Sequence, residues 1–149
     1  MKLVIASDHG GHDLKRELTE FLKEKKIAVE DLGNHGADSV DYPDYAVRVA
    51  EMVSQGSADS GILVCGTGIG MSIVANKFKN VRAAVVSDEF TARMSREHNN
   101  ANILCLGGRV KKPGEAKRLV EIWLSTPFEG GRHSRRLEKI AAIEKKNLR

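Results

Sequence analysis

Cys65-Gly66-Thr67-Gly68-Ile69-Gly70 directly follows the apolar run Ile62-Leu63-Val64, and a helical pattern starts near Ser72. A thiol, alternate glycines and a helix start can together hold an anion and move a proton. Glycine lets the backbone turn sharply and brings bare N–H groups close to a ligand. The helix that follows aims the positive end of its dipole at the same spot. Such a setting favours thiolate over thiol. These residues describe a poised base or nucleophile, Cys65, beside an anion cradle. The competing reading of Cys65 is a small core residue. Cys105 lies in another apolar run without a glycine loop, and for it the core reading holds.

A second constellation is Gly130-Gly131-Arg132-His133-Ser134-Arg135-Arg136. Arg132 and Arg136 are one helical turn apart, so they share a face and can grip one phosphate, whereas a solvated basic turn is the plainer alternative. Charge is unevenly spread: residues 1–108 carry −3 and residues 109–149 carry +7, within a total of +4. No RNP-like aromatic motif, zinc-finger spacing or repeat points to nucleic acid. A phosphate-sized anion gives the basic third a purpose.

Other chemistries fit less well. A dinucleotide fingerprint G-x-G-x-x-G needs glycine where Met71 stands, although Asp88 lies where a ribose-binding acid could. A Walker loop lacks its Gly-Lys-Ser/Thr, and a cysteine phosphatase lacks its arginine, again at Met71. His9, His12 and His98 are candidate metal ligands, but no His-Glu-x-x-His or Cys-x-x-Cys pattern accompanies them. His98 can simply cap a helix dipole, while His35 and His133 read as loop or surface residues. The carboxylates of Asp41-Tyr42-Pro43-Asp44-Tyr45 read as helix caps, with Tyr42 and Tyr45 lining a rim.

Elements that could position these groups follow from periodicity. Strand patterns cover Leu3–Ala6, Ile27–Leu32, Gly61–Cys65, Ala83–Val86 and Ile103–Leu106. Helical patterns alternate with them: Leu14 to about Lys26, one through Ala46, Val49, Ala50 and Val53, Met71–Lys79, Glu89–His98, and Pro113 to about Leu124. A last helix spans 134–146. Wholly apolar strands alternating with helices predict a three-layer α/β/α, Rossmann-like fold: a parallel five-stranded sheet covered on both faces, with an extra C-terminal helix. Such folds bind ligands beyond the carboxyl ends of their strands. Asp8-His9-Gly10-Gly11, Cys65–Gly70, Ser87-Asp88 and Gly107-Gly108-Arg109 all fall there.

The 149 residues suit one domain spanning 1–149, with 41% hydrophobic and 30% charged residues typical of a soluble globular chain. No apolar run reaches the roughly 18 residues of a membrane span, and Met1 leads straight into a strand without a signal-peptide layout. Two cysteines at strand ends suit a reducing cytoplasm better than a disulfide framework.

Taken together, Asp8-His9-Gly10-Gly11, Asp41-Tyr42-Pro43, Cys65–Gly70, Ala75-Asn76-Lys77, Ser95-Arg96-Glu97-His98-Asn99 and Gly130-Gly131-Arg132-His133 resemble ribose-5-phosphate isomerase of the B type, in order along the whole chain. That resemblance implies interconversion of ribose 5-phosphate and ribulose 5-phosphate without metal or cofactor. It also implies homodimers or tetramers whose sites draw on both subunits. By similarity Cys65 is the base that carries a proton between C1 and C2 through an enediolate. The backbone from Gly66 through Gly68, Ile69 and Gly70 to Ser72 then holds the enediolate oxygen. Thr67 bonds the sulfur or a sugar oxygen, and His98 opens the furanose ring, with Asp8 and Thr67 nearby. Asp8, His9 and Asn99 bind sugar hydroxyls or the phosphate end, and Arg109, Arg132 and Arg136 hold the phosphate.

One branch of the family places a glutamate base where Met71 stands, so this chain resembles the cysteine type. Galactose-6-phosphate isomerase subunits share the glycine loop but lack the Ser-Arg-Glu-His-Asn and Gly-Gly-Arg-His motifs present here. An allose 6-phosphate preference would turn on pocket size. A nucleotide-binding regulatory domain on the same sheet is the alternative from a different class.

Overall fold

The computed structural model describes residues 1–148. Strands β1 (Leu3–Ser7), β3 (Ser60–Cys65) and β5 (Ile103–Gly107) are buried along their whole length, which is why they read as unbroken apolar runs. β2 (Val29–Asp31) and β4 (Ala83–Val85) form the short edges. All pairings are parallel, in the order β2-β1-β3-β5-β4. The expected five-stranded parallel sheet is present.

Alternation along the strands decides which helix covers which face. Leu3 and Ile5 of β1 pack with Leu14, Leu18 and Leu22 of α1 (His12–Glu24) and with Leu119, Val120 and Trp123 of α5 (Pro113–Ser125). Ala92 of α4 (Glu89–Glu97) joins the same layer. Val4 and Ala6 instead meet Ala46, Val49 and Ala50 of α2 (Tyr42–Ser54) and Met71 and Ala75 of α3 (Ile69–Ala75). Right-handed crossovers require this division, because chain direction across the sheet reverses between β1 and β3. That reversal opens a crevice at the carboxyl ends of those two strands. The last helix, α6 (Arg132–Asn147), lies outside both layers, with His133 its only buried residue among those described.

Several boundaries differ from the periodic pattern for local reasons. The second strand is three residues rather than 27–32: the Ile27 N–H turns back to the Leu22 carbonyl and so closes α1. The third helix runs 69–75 rather than 71–79. Gly68 starts it in the left-handed conformation (φ 84°), and the Asn76 side chain ends it by bonding both the N–H and the carbonyl of Ala83. Asp41 precedes α2 but makes no capping bond with its side chain, so the capping expected of its carboxylate is not found. No described helix is long and apolar enough to cross a membrane.

Candidate active site

At the carboxyl rim, backbone meets backbone. Asp8 N–H donates to the Val64 carbonyl, Gly108 N–H to Cys65, and Arg109 N–H to Gly66. A Cβ on Gly108 would stand 2.6 Å from the Gly10 carbonyl oxygen, so only glycine lets the loops after β1 and β5 touch. Three strand ends are thereby locked around Cys65.

Cys65 sits at the edge between core and rim. Its side chain shares the α2/α3 face with Met71 and Ala75, and 5% of the residue is exposed. The Gly68 N–H donates to its sulfur at 3.1 Å. A hydrogen bond to a charged group is worth about 1.5–3 kcal/mol, and this N–H is placed to make one to the sulfur. Cys105 lies on the same face opposite Leu63, fully inside the sheet, and burial pushes its thiol far up. The two cysteines thus differ by position along a strand. Cys65 ends β3 at the rim; Cys105 has nothing polar to charge it.

Around the sulfur the cradle is partly committed. Ile69 N–H donates to Thr67 Oγ1 and Ser72 N–H to the Gly68 carbonyl. With Gly68 engaged by the sulfur, the remaining free donors are fewer than the whole run Gly66–Ser72. Thr67 is exposed and, with its oxygen accepting from Ile69, keeps its hydroxyl proton for a ligand. The Arg109 side chain lies over Gly66, where an added Cβ would stand 3.5 Å from Nη1, and the Tyr42 ring covers Gly70. Tyr42 therefore lines the rim as expected, whereas Tyr45 packs beside Gly33 and Arg48.

Asp8 is buried and caps the short turn His9–Gly11, its Oδ1 accepting from the Gly11 N–H at 3.1 Å. His9 Nδ1 accepts the Val40 N–H at 3.1 Å, so the neutral ring carries its proton on Nε2, free to donate. The chain that supplies Val40 is anchored from below: the buried Lys15 ammonium grips both Asp31 oxygens and the Asn34 carbonyl at 2.7–2.9 Å. Asp88, the candidate ribose acid, is occupied otherwise. It forms a capping box with Thr91, whose N–H holds the carboxyl below its usual range.

The remaining candidates sit elsewhere. α4 runs back against the strands, so His98 at its end lies near the start of β5: Gly61 N–H donates to the Asn102 carbonyl, and Ala101 N–H to Ser95. From that level to Cys65 is four strand residues, about 13 Å at roughly 3.3 Å each. Asn99 is at the same end, lining a groove of about 390 Å³ with Leu137, Ile140 and Ile143 of α6. Arg132 and Arg136 open α6 nearby, where Glu129 N–H donates to the Glu97 carbonyl. One chain therefore brings Asp8, His9, Cys65–Gly70 and Arg109 together at one rim. It gathers His98, Asn99, Arg132 and Arg136 at the opposite end. Asp8 and Thr67 do not stand near His98 within one chain, so the grouping that the resemblance implies is left to the sharing of sites between subunits that it also implies.

A sequence model of the ribose/galactose isomerase family matches residues 3–140. The chain belongs to that family. It is 46% identical over 145 residues to ribose-5-phosphate isomerase B of Escherichia coli strain K12, covering 97% of each chain. Among solved structures it resembles a ribose-5-phosphate isomerase B of Clostridium thermocellum, with TM-score 0.96 and 55% identity over 98% of this chain and 99% of that one. The Mycoplasma genitalium ribose-5-phosphate isomerase B with bound ribulose-5-phosphate gives TM-score 0.94 and 47% identity, covering 98% of this chain and 97% of that one. Membership makes this chain an aldose–ketose isomerase, and the nucleotide-binding alternative lapses with Asp88 turned to its cap.

Two roles in this isomerase escape the motif reading. Arg96 bonds the carbonyls of Ala101 and Thr126 and lies over Trp123, clamping the turn that carries His98 and Asn99. His133, expected at the surface, is 3% exposed and stacks on the His98 ring with centroids 4.1 Å apart. Its place directly after Arg132 in the glycine-rich turn was the available signal; nothing in its spacing to His98 announces the stack.

Proposed function

We propose that this chain interconverts D-ribose 5-phosphate and D-ribulose 5-phosphate, with each site completed by a second copy. The observation that carries the reading is the Cys65 sulfur at a strand end, 3.1 Å from the Gly68 N–H, with the Arg109 side chain lying over the neighbouring Gly66. As a thiolate, Cys65 takes the C2 proton of the open-chain aldose and returns it to C1 of the enediolate. Free N–H groups of the glycine loop and the Thr67 hydroxyl stabilise the negative oxygen; one such donor is worth about 3–4 kcal/mol in other enzymes. Asp8 and His9 Nε2 hold hydroxyls or the phosphate end. His98 protonates the ring oxygen to open the furanose, Asn99 binds the sugar, and Arg132 and Arg136 join Arg109 at the phosphate.

Those last residues reach the sugar only from a partner copy. A base and an acid acting on one small sugar each need hydrogen-bond reach of about 3 Å, which the opposite ends of one sheet do not allow. A two-fold dimer in which the end of one chain bearing His98 meets the Cys65 rim of the other closes two equal sites. Exposed apolar side chains stand at both ends: Ile69 and Ile73 beside the cysteine loop, Ile140 and Ile143 on α6. Homodimer or tetramer, the shared site needs no metal, nucleic acid or membrane, and it operates in the cytoplasm. The test is ketose formation from ribose, allose and galactose 6-phosphates with and without EDTA. Cys65→Ala at near wild-type rate would remove the proposed base.

A further inference from the structure

His98, Glu129 and His133 come from three separate segments: the end of α4, the loop before α6, and the first turn of α6. One ligand atom from each lies within 4.8 Å of the other two. His133 Nε2 is buried without a hydrogen-bond partner, with Glu129 Oε2 at 3.6 Å, too far for a hydrogen bond. A buried ring nitrogen left unpaired costs desolvation energy that nothing in the chain returns. Two imidazole nitrogens and one carboxylate are a donor set that zinc accepts, leaving a fourth position open. Ligand bonds near 2.1 Å put tetrahedral donors about 3.4 Å apart, so the Glu129–His133 pair is already spaced for a shared ion. Only the His98 ring has to turn out of its stack, and it sits half-buried at a helix end.

We propose that His98, Glu129 and His133 bind Zn²⁺ or a similar borderline divalent cation, and that the bound ion silences the enzyme by holding the His98 imidazole away from the sugar. The site stands on the geometry of the three side chains; its inhibitory effect rests on the ring-opening role proposed for His98. Arg132 and Arg136 repel an arriving cation, and Glu129 supplies the only carboxylate of the cluster.

The test uses full-length enzyme stripped with EDTA and freed of chelator. Co²⁺ titration should give the visible bands of a four-coordinate ion at one per chain, displaced by Zn²⁺. Glu129→Ala alters an exposed side chain and keeps the fold; it and His133→Gln should each weaken Co²⁺ binding by about tenfold or more. Cys65→Ser should bind Co²⁺ as wild type does. Zn²⁺ should inhibit isomerisation reversibly, with EDTA restoring it, and Glu129→Ala should need about tenfold more Zn²⁺ for the same loss. No cobalt signal, binding untouched by both variants, or binding lost in Cys65→Ser would overturn the site. Binding that depends on Glu129 and His133 but leaves activity intact would overturn the inhibition, and with it the task given to His98, while leaving the Cys65 reading standing.

Discussion

If Cys65 of one copy works with His98 of another, two inactive variants should repair each other. Cys65→Ala and His98→Ala each damage every site in their own homodimer. After equal amounts are mixed and subunits exchange, half of the dimers combine one of each. Each mixed dimer then holds one site with both wild-type side chains and one site with neither. Recovery should approach about one quarter of wild-type activity per chain. The structure motivates this value because four strand residues, about 13 Å, separate the levels of the two side chains in one sheet. Were both to act from one chain, no mixed dimer would hold an intact site and the mixture would stay at background. Exchange would be driven by brief dilution in denaturant, mixed dimers confirmed by native mass spectrometry, and ketose formation followed from ribose 5-phosphate. Mixed dimers formed in the expected proportion without recovered activity refute the shared site.

Other outcomes bear on single elements. Cys65→Ala should cut kcat by about 10²–10⁴ with little change in KM, read by steady-state assay, because a positioned base contributes on that scale. Gly68→Ala should lose about 1–3 kcal/mol in urea unfolding and lower kcat, since its φ of 84° disfavours a side chain and a Cβ would meet the Leu106 backbone at 3.0 Å. Lys15→Met strands the Asp31 carboxylate and the Asn34 carbonyl. It should cost about 2 kcal/mol, less than a fully buried pair because Asp31 stays partly exposed, and it should raise KM by loosening the chain behind His9. His133 has a depressed pKa in the folded state, so its contribution is present above the usual histidine range and lost as pH falls below it. Thermal melting at pH 8 and pH 5.5 should show a smaller acid-induced fall for His133→Gln than for wild type.

The fold was legible because the three central strands are buried on both faces and carry no polar interruption. Edges were harder. Ile27 reads as strand by type, but its N–H serves the end of α1, and the apolar character of a residue does not reveal which partner its backbone takes. The third helix begins before its apolar pattern because a left-handed Gly68 starts it, and it ends before the pattern does because the Asn76 side chain takes the N–H and carbonyl of Ala83, seven residues on. At the site, Cys65 and its cradle are local in sequence, so spacing alone described them. His98, Asn99, Arg132 and Arg136 were recognisable by motif, but their position depends on α4 running against the strands, a property of topology rather than of any residue.

That topology also gives the uneven charge a mechanical consequence. The cations Arg132 and Arg136 and the His98 imidazole sit at the amino end of the sheet, while the thiol and its donors sit at the carboxyl end. A lone chain on the proposed reading holds a base with no ring opener and phosphate-binding cations with no base beside them. Association of two chains supplies both at once, so affinity for the phosphate, ring opening and proton transfer should all fall together when the dimer is diluted apart. A substitution that weakens association, such as Ile143→Glu on the exposed face of α6, should therefore lower activity in proportion to the dimer fraction and recover it at high protein concentration. Activity per chain that stays constant across that dilution, while sedimentation shows monomers, would mean that each chain carries a whole site.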